Sequence, residues 1–402
     1  MSRPKTGICD LPSIFSGGEN NTLYVIMNTI ILGPNHNNTL GLIWSLADAK
    51  QKITLLLYNN DNNFVSKSKY IEKTYFIHKG DDVISLLKEI AIKMGSKPVV
   101  FVTNDNDATL LNNHYSELAD YCFFEGGRPD GSINQYRDKD KGEKLAIKCG
   151  FNIPQTVVIS KPEELSSVAL PYPLFIKGNN SVHGGKSAMK KCDTKQVAET
   201  FVQSLPQDYF PLQVQEFIEK EYELMLLGCS LYGGKRVICP VANKKIRQYP
   251  KNTGGGSFSL SAEVAANEDL RQLAARVERY LQEIEYTGNF SAEFLYANGK
   301  FYFLEINLRN DGTSWLSTCS GYNLPDMVCR SFVDENVSDK GCTFRQRHYM
   351  NIFWDMHYLI DGSIGLFKWL GQFKKNTCYS HYNGKDKAPF LFMLFAMVKC
   401  KI

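Results

Sequence analysis

No CxxC pair occurs among the eleven cysteines, which are odd in number and stand singly at Cys9, Cys122, Cys149, Cys192, Cys229 and onwards. That scatter leaves no zinc site and no disulfide framework, and argues for reduced thiols in a cytoplasmic protein. No apolar run reaches the ~20 residues that a bilayer-crossing helix requires. Met1 to Thr6 runs into Asp10 and Pro12 without the apolar core of a secretory signal. Neither sign of charge dominates: 46 Lys and Arg face 42 Asp and Glu, a net charge of +4. Without a basic block or an aromatic-and-basic stripe, nucleic-acid binding has no support. Internal repeats and low-complexity tracts are also missing, and 43% hydrophobic with 22% charged residues excludes wholesale disorder and a fibrous repeat.

What is present suggests two or three packed units in 402 residues. Residues 1–22 read as a flexible N-terminal extension. From Leu23 the apolar run Tyr24-Val25-Ile26 leads to the turn Gly33 to Asn38 and a helix over 40–50. A strand over 53–58, a helix over 83–94 and a strand over 98–102 follow, an order that predicts a small parallel α/β unit over 23–138. Over 139–333 the grammar changes to adjacent strands joined by Gly-containing turns: 223–231 with 236–241, and 288–296 with 300–307, separated by a helix over 267–285. That unit is α+β. Residues 334–402 read as an aromatic-rich C-terminal appendage. Within it Phe390-Leu391-Phe392-Met393-Leu394-Phe395 is expected to be a short buried helix or strand, with a membrane-surface anchor as the alternative.

The strongest chemical signal is Glu293 on one strand and Glu305-Ile306-Asn307-Leu308-Arg309 on the next. Alternation puts Glu305, Asn307 and Arg309 on one face, and the hairpin brings Glu293 beside them. Two carboxylates and an amide are hard oxygen donors of the kind Mg²⁺ accepts alongside phosphate oxygens and water. Arg309 adds a planar fork for a phosphoryl group or a carboxylate. A solvated acidic face with Arg309 paired locally is the competing account. Lys177 leaves an apolar strand and is followed by a glycine-bearing turn containing His183, Gly184, Gly185 and Lys186, whose backbone N–H groups would form an anion-binding concavity; an ordinary hairpin is the alternative. The segment Gln215 to Glu223 is suited to clamp a nucleoside, with Phe217 and Ile218 against the base and a later carboxylate on the ribose. Arg247 is the choice for a second cationic contact, in competition with a surface basic cluster. The run Lys251 to Ser257 reads as a loop able to close over substrate, or as a plain linker. His36 sits in a glycine-bearing turn, where a substrate contact competes with an incidental role, and Cys319 has no basic partner that would activate a thiol.

The order Lys141, Lys177, Gly184-Gly185-Lys186, Glu216 to Glu223, Glu293 and Glu305 to Arg309 resembles the ATP-grasp superfamily over residues 23–330. The resemblance implies an ATP-grasp fold, mixed α/β and α+β, behind an N-terminal Rossmann-like pre-ATP-grasp domain, for which Gly33 to Gly41 and Thr103-Asn104-Asp105 also speak. It implies ATP and one or two Mg²⁺ as cofactors, with Glu293, Glu305 and Asn307 on the metal and Lys141 and Lys177 on phosphate. Lys139 competes with Lys141. Glu216, Phe217 and Ile218 would lie at the adenine, and Glu221 or Glu223 at the ribose. The nearest likeness within the superfamily is to carboxylate-amine ligases of the D-aspartate ligase and carbamoyl-phosphate-synthase-like kind, used in bacterial cell-wall and capsular polysaccharide modification. Partners would then be a small-molecule carboxylate and an amine, with a homodimer as the usual assembly. A small-molecule kinase and a non-catalytic nucleotide-binding protein remain the rivals.

Overall fold

The computed structural model describes residues 13–16, 23–59, 63–137, 139–179, 189–374 and 376–399. The N-terminal unit is built on a five-stranded parallel sheet in the order Ile71–Ile77, Lys52–Tyr58, Asn28–Gly33, Val99–Val102, Phe123–Phe124. Its central strands are apolar almost throughout because the sheet is covered on both faces. The strand order reverses between Asn28–Gly33 and Val99–Val102, and the crevice beyond the carboxyl ends of such strands is where α/β sheets bind ligands. Two turns meet there. His36 Nδ1 accepts from Asn38 N (3.2 Å) and caps the helix Asn37–Asp48, which therefore starts three residues before the expected position. Asn104 accepts from Asp107 N (2.9 Å) and caps the helix Asp105–Asn113. A Cβ on Gly33 would stand 2.0 Å from Thr103 Oγ1, so only glycine lets the two turns touch.

The second large element is a seven-stranded sheet in the order Lys300–Asn307, Gly288–Ala297, Tyr222–Leu231, Arg236–Tyr249, Gly255–Glu263, His348–Met350, Thr377–Tyr379. All its pairs are antiparallel except the last. One face packs on the helix Glu268–Glu283 through Leu226, Ala242, Phe290 and Phe294, against Leu273, Val277 and Leu281. The opposite face shares a core with the parallel unit, where Met225, Leu227 and Tyr349 join Ile31, Leu42 and Phe101. The segment expected as an appendage thus adds two strands to this sheet. It is further tied down by Asp386, which accepts from Trp44 Nε1 (2.9 Å), Ser68 Oγ (2.5 Å) and Lys69 N (3.1 Å).

A separate four-stranded antiparallel sheet runs Lys190–Cys192, Leu174–Gly178, Leu212–Glu216, Thr156–Ile159. Ile176, Val214, Leu212 and the helix residues Ala198 and Val202 form its own small core. The run expected as a closing loop is shorter than its sequence suggests, because Gly255 and Gly256 already belong to a strand and Gly254 O accepts from Gln248 Nε2 (2.7 Å). No described helix is long and apolar enough to cross a membrane.

Candidate active site

A cleft of about 410 Å³ lies between the carboxyl ends of the parallel strands and the polar face of the seven-stranded sheet. From one side come His36, Asn38, Thr103 and Asp105; from the other come Lys245, Glu293, Arg309, Asp311 and Thr313, with Trp354 at the rim. The two hairpins that supply the second set are both out of simple register. Counting back from the turn Ala297 to Lys300 would seat Leu304 opposite Glu293, but a bulge puts Glu305 there and aligns Ser291 with Asn307. Likewise a bulge between Leu227 and Cys229 brings Lys245, not Lys244, opposite Glu223. Bulges of this kind re-aim side chains by one position, which is the difference between facing the cleft and facing the helix layer.

The result is a chain of buried charges. Lys245 donates to Glu293 Oε2 (2.9 Å) and Glu223 Oε2 (2.8 Å). Glu223 also takes Lys220 Nζ and Gln248 Nε2 (2.7 Å). Burial pushes the Glu223 carboxyl up, but the two lysines outweigh it and hold it below the usual range. Glu293 goes the other way: burial raises it, Lys245 opposes, and the like charges of Glu305 and Asp311 add to the rise. Lys245 is held above its ordinary value, since Glu293 and Glu223 together outweigh its desolvation. Asn307 Nδ2 reaches Ser291 Oγ (3.3 Å) and Glu293 Oε1 (3.4 Å), while its Oδ1 accepts from Arg309 Nη2 (3.1 Å). Arg309 is in turn clamped by Asp105, whose two oxygens accept from Nε (3.0 Å) and Nη2 (3.1 Å), and Arg137 Nη1 adds a further bond to Asp105 (3.0 Å). Burial raises the Asp105 carboxyl, and Arg309 more than reverses it. Two guanidinium groups thus share the Asp105 carboxylate, with Asp311 and Glu305 also close enough to act on Arg309.

Beneath this chain Glu125 is fully buried. Its Oε1 accepts from Asn289 N (2.7 Å) and Nδ2 (2.8 Å), whereas Oε2 has no partner among the described residues. Burial lifts its carboxyl to about 7, against the hydrogen bonds from Asn289.

The other expected residues fall into three places. Lys177 is buried on its strand, 3.7 Å from Glu143 Oε1, and Glu143 also accepts from Gln215 Nε2 (3.2 Å), so the helix Lys139–Lys148 is bound to the small sheet through these groups. Lys141 stands on the exposed side of that helix. Glu216 Oε1 accepts from Gln155 N (2.9 Å), and Phe217 N donates to Pro173 O (3.0 Å). The Ile218 N–H has no partner among the described residues. Glu221 is exposed and accepts from Asn298 N (3.1 Å), unlike the enclosed Glu223. His183, Gly184, Gly185 and Lys186 lie outside the described residues. Arg247 does not join Glu293. It forms a fork with Asp355, Nε to Oδ1 (2.8 Å) and Nη2 to Oδ2 (2.7 Å), and Asp355 is fully buried with further bonds from Ser257 Oγ and Trp369 Nε1. The irregular register between Lys245 and Arg247 separates these two cations into different networks.

Lys245 was passed over in the sequence because it sits in a string of basic residues, and Asp105 and Arg137 because their partner Arg309 is remote in sequence. Cross-strand pairing with Glu223 was the available signal for Lys245. Among the described residues no three His, Cys, Asp or Glu side chains converge as a self-sufficient metal cage. Glu293 and Glu305, directly paired, with Asn307 next to them, are an incomplete oxygen set of the kind that suits a Mg²⁺ completed by phosphate and water. Glu293 already pairs with the ammonium of Lys245 (2.9 Å), which a metal ion on this carboxylate would have to share or displace.

A parallel α/β unit, a small antiparallel sheet and a large sheet bearing carboxylates on its cleft face define the ATP-grasp architecture. Residues 144–321 match the family model of the ATP-grasp domain. It is similar to the D-alanine–D-alanine ligase of Fusobacterium nucleatum, 25% identical over 197 residues, 48% of this chain and 64% of that protein. It is also similar to the carbamoyl phosphate synthase large chain of Sulfolobus acidocaldarius, 21% identical over 205 residues, 50% of this chain and 19% of the other. The matched segment is thus about a fifth of the synthase. Among solved structures, the L-amino acid ligase from Bacillus licheniformis aligns with a TM-score of 0.60 at 15% identity, over 80% of this chain and 79% of that one. The biotin carboxylase domain dimer of the Hydrogenobacter thermophilus 2-oxoglutarate carboxylase, in complex with MgADP, ADP and bicarbonate, aligns with a TM-score of 0.62 at 16% identity over 80% and 74%. At these identities the two structures establish a shared fold.

Proposed function

We propose that this protein is an ATP-dependent carbon–nitrogen ligase that activates a carboxylate as an acyl phosphate and passes it to an amine, with release of ADP and phosphate. The observation that carries the reading is the bulged pairing of Glu293 with Glu305 beside Asn307 and Arg309, inside the ATP-grasp match: Glu293 and Arg309 line the cleft, and Glu305 and Asn307 line an adjoining pocket that shares Asp105 and Arg309 with it. Glu293, Glu305 and Asn307 would hold Mg²⁺, which when bound would neutralise phosphate charge. Lys177 and Lys141 would face the phosphate chain, the Ile218 N–H the adenine edge and Glu221 the ribose, since Glu223 is consumed by Lys245 and Lys220. Arg309, pre-oriented by Asp105, would direct the substrate carboxylate or the transferred phosphoryl group without reorganising at the moment of reaction. The substrate carboxylate oxygen attacks the γ-phosphorus and ADP leaves; the amine nitrogen then attacks the acyl carbon and phosphate leaves. Holding both partners in line in one cleft supplies much of the rate.

The test is an ADP-release screen of purified protein with MgATP against carboxylates crossed with amino acids and amino sugars. Release that requires both partners is the expected result; release with an alcohol alone would assign a kinase instead.

A further inference from the structure

We propose that the C-terminal helix Ala388–Lys399 and the lysines around its base form a docking surface for an anionic membrane surface. The helix is short, about 18 Å at 1.5 Å per residue, well below a bilayer's apolar thickness. It is nonetheless apolar along its length, and it is only half buried. Phe390 packs on Phe353 and Tyr382, and Lys67 Nζ lies over the Phe392 ring (4.9 Å). On the other side Leu391, Leu394 and Phe395 stand in solvent, Phe395 at 68% exposure. Their i, i+3, i+4 spacing makes them one stripe on one helix face. Two of them are large aliphatics and the third an aromatic, the side chains that settle at the boundary of headgroups and acyl chains.

Charge selects the occupant. Lys67, Lys69, Lys385 and Lys387 are exposed around the start of the helix, and none forms an ion pair with a described residue. Residues 376–399 contain a single acidic side chain, Asp386, and it is buried and spent on Trp44, Ser68 and the Lys69 N–H. That same carboxylate fixes the helix start against the segment bearing Lys67 and Lys69, so the basic collar and the apolar stripe are held as one rigid surface. Four lysines without an ion pair among the described residues would repel a second copy of themselves, whereas phosphatidylserine headgroups would neutralise them while the stripe enters the interface.

The experiment is co-sedimentation of the full chain with vesicles of phosphatidylcholine alone and of phosphatidylcholine mixed with phosphatidylserine. The expected result is partition onto the anionic vesicles only, weakening with salt. Replacing Lys67, Lys69, Lys385 and Lys387 by Gln should lower the partition coefficient roughly fivefold per lysine. The variant Leu391→Ser, Leu394→Ser, Phe395→Ser should lose binding while keeping wild-type circular dichroism. Wild type that stays in the supernatant with both vesicle types, or variants that sediment as well as wild type, would overturn the proposal. A wild-type dimer that the triple serine variant converts to monomer, without vesicle binding, would overturn it in favour of a second copy.

Discussion

The seven-stranded sheet and the four-stranded sheet are built to different standards. The seven-stranded sheet is cored on both faces, by the helix Glu268–Glu283 on one and by the parallel unit on the other, and its charged residues are locked in a continuous network from Lys220 to Arg137. The four-stranded sheet rests on nine buried residues among those described, and its outer strand leaves Val157 and Val158 more than a third exposed. Its one ionic tie to the helix Lys139–Lys148 among the described residues is the 3.7 Å pair of Lys177 with Glu143. A fixed wall and a lightly anchored flap follow from that difference, since elements with little buried apolar area open locally at low cost; under the proposed function the first would hold the metal and the second would cover the nucleotide.

Changes in the two sheets should separate accordingly. Glu305→Ala, on the rigid wall, should cut ATP turnover by about a hundredfold or more while the thermal midpoint barely moves; full activity would remove the metal assignment. Lys245→Met should cost about 3 kcal/mol or more of stability in a urea titration, because Glu223 and Glu293 are left buried without their shared cation. Beneath them Glu125 contributes a pH dependence whose sign is set by its raised pKa. The folded state holds this proton more tightly than the unfolded chain, so stability is highest below about pH 4.5 and declines as pH climbs through about 7. Glu125→Gln should therefore recover up to roughly 3 kcal/mol at pH 8 and almost nothing at pH 4. In hydrogen exchange, amides of Ile176 and Val214 in the small sheet should exchange well before those of Phe290 and Phe294; equal protection would erase the contrast. Smallest of all, Val158→Thr on the exposed edge should change stability by within about 0.5 kcal/mol.

Much of this was legible before any coordinates. Alternation along 300–307 placed Glu305 and Asn307 on one face, and the Ala297-Asn298-Gly299 turn, with Asn298 and Gly299 both at positive φ, announced the hairpin. The apolar runs 53–58 and 98–102 similarly announced a parallel sheet. What stayed hidden depends on non-local geometry. The bulge that skips Leu304 carries no glycine or proline, whereas the one between Leu227 and Cys229 falls at Gly228 opposite Cys239-Pro240, and the pairing of Lys245 with Glu223 that it sets is fixed only when the strands pack together. Asp105 and Arg309 are 204 residues apart, and nothing in either segment names the other. The strand Ile71–Ile77 escaped notice because IEKTYFI at a sheet edge has charged residues where an interior strand would be apolar. Arg247, expected as a second cationic contact, is held by Asp355, a partner remote in sequence, through the irregular register of its strand.

The most direct measurement is Mn²⁺ binding in the presence of ADP, followed by electron paramagnetic resonance on wild type and Glu305→Gln. Tight binding to wild type and at least a tenfold weaker affinity in the variant, with ADP affinity measured without metal unchanged, is the outcome this account requires. Equal Mn²⁺ affinity in the two proteins would mean that the divalent ion sits elsewhere, and Glu293 and Glu305 would be no more than cross-strand neighbours.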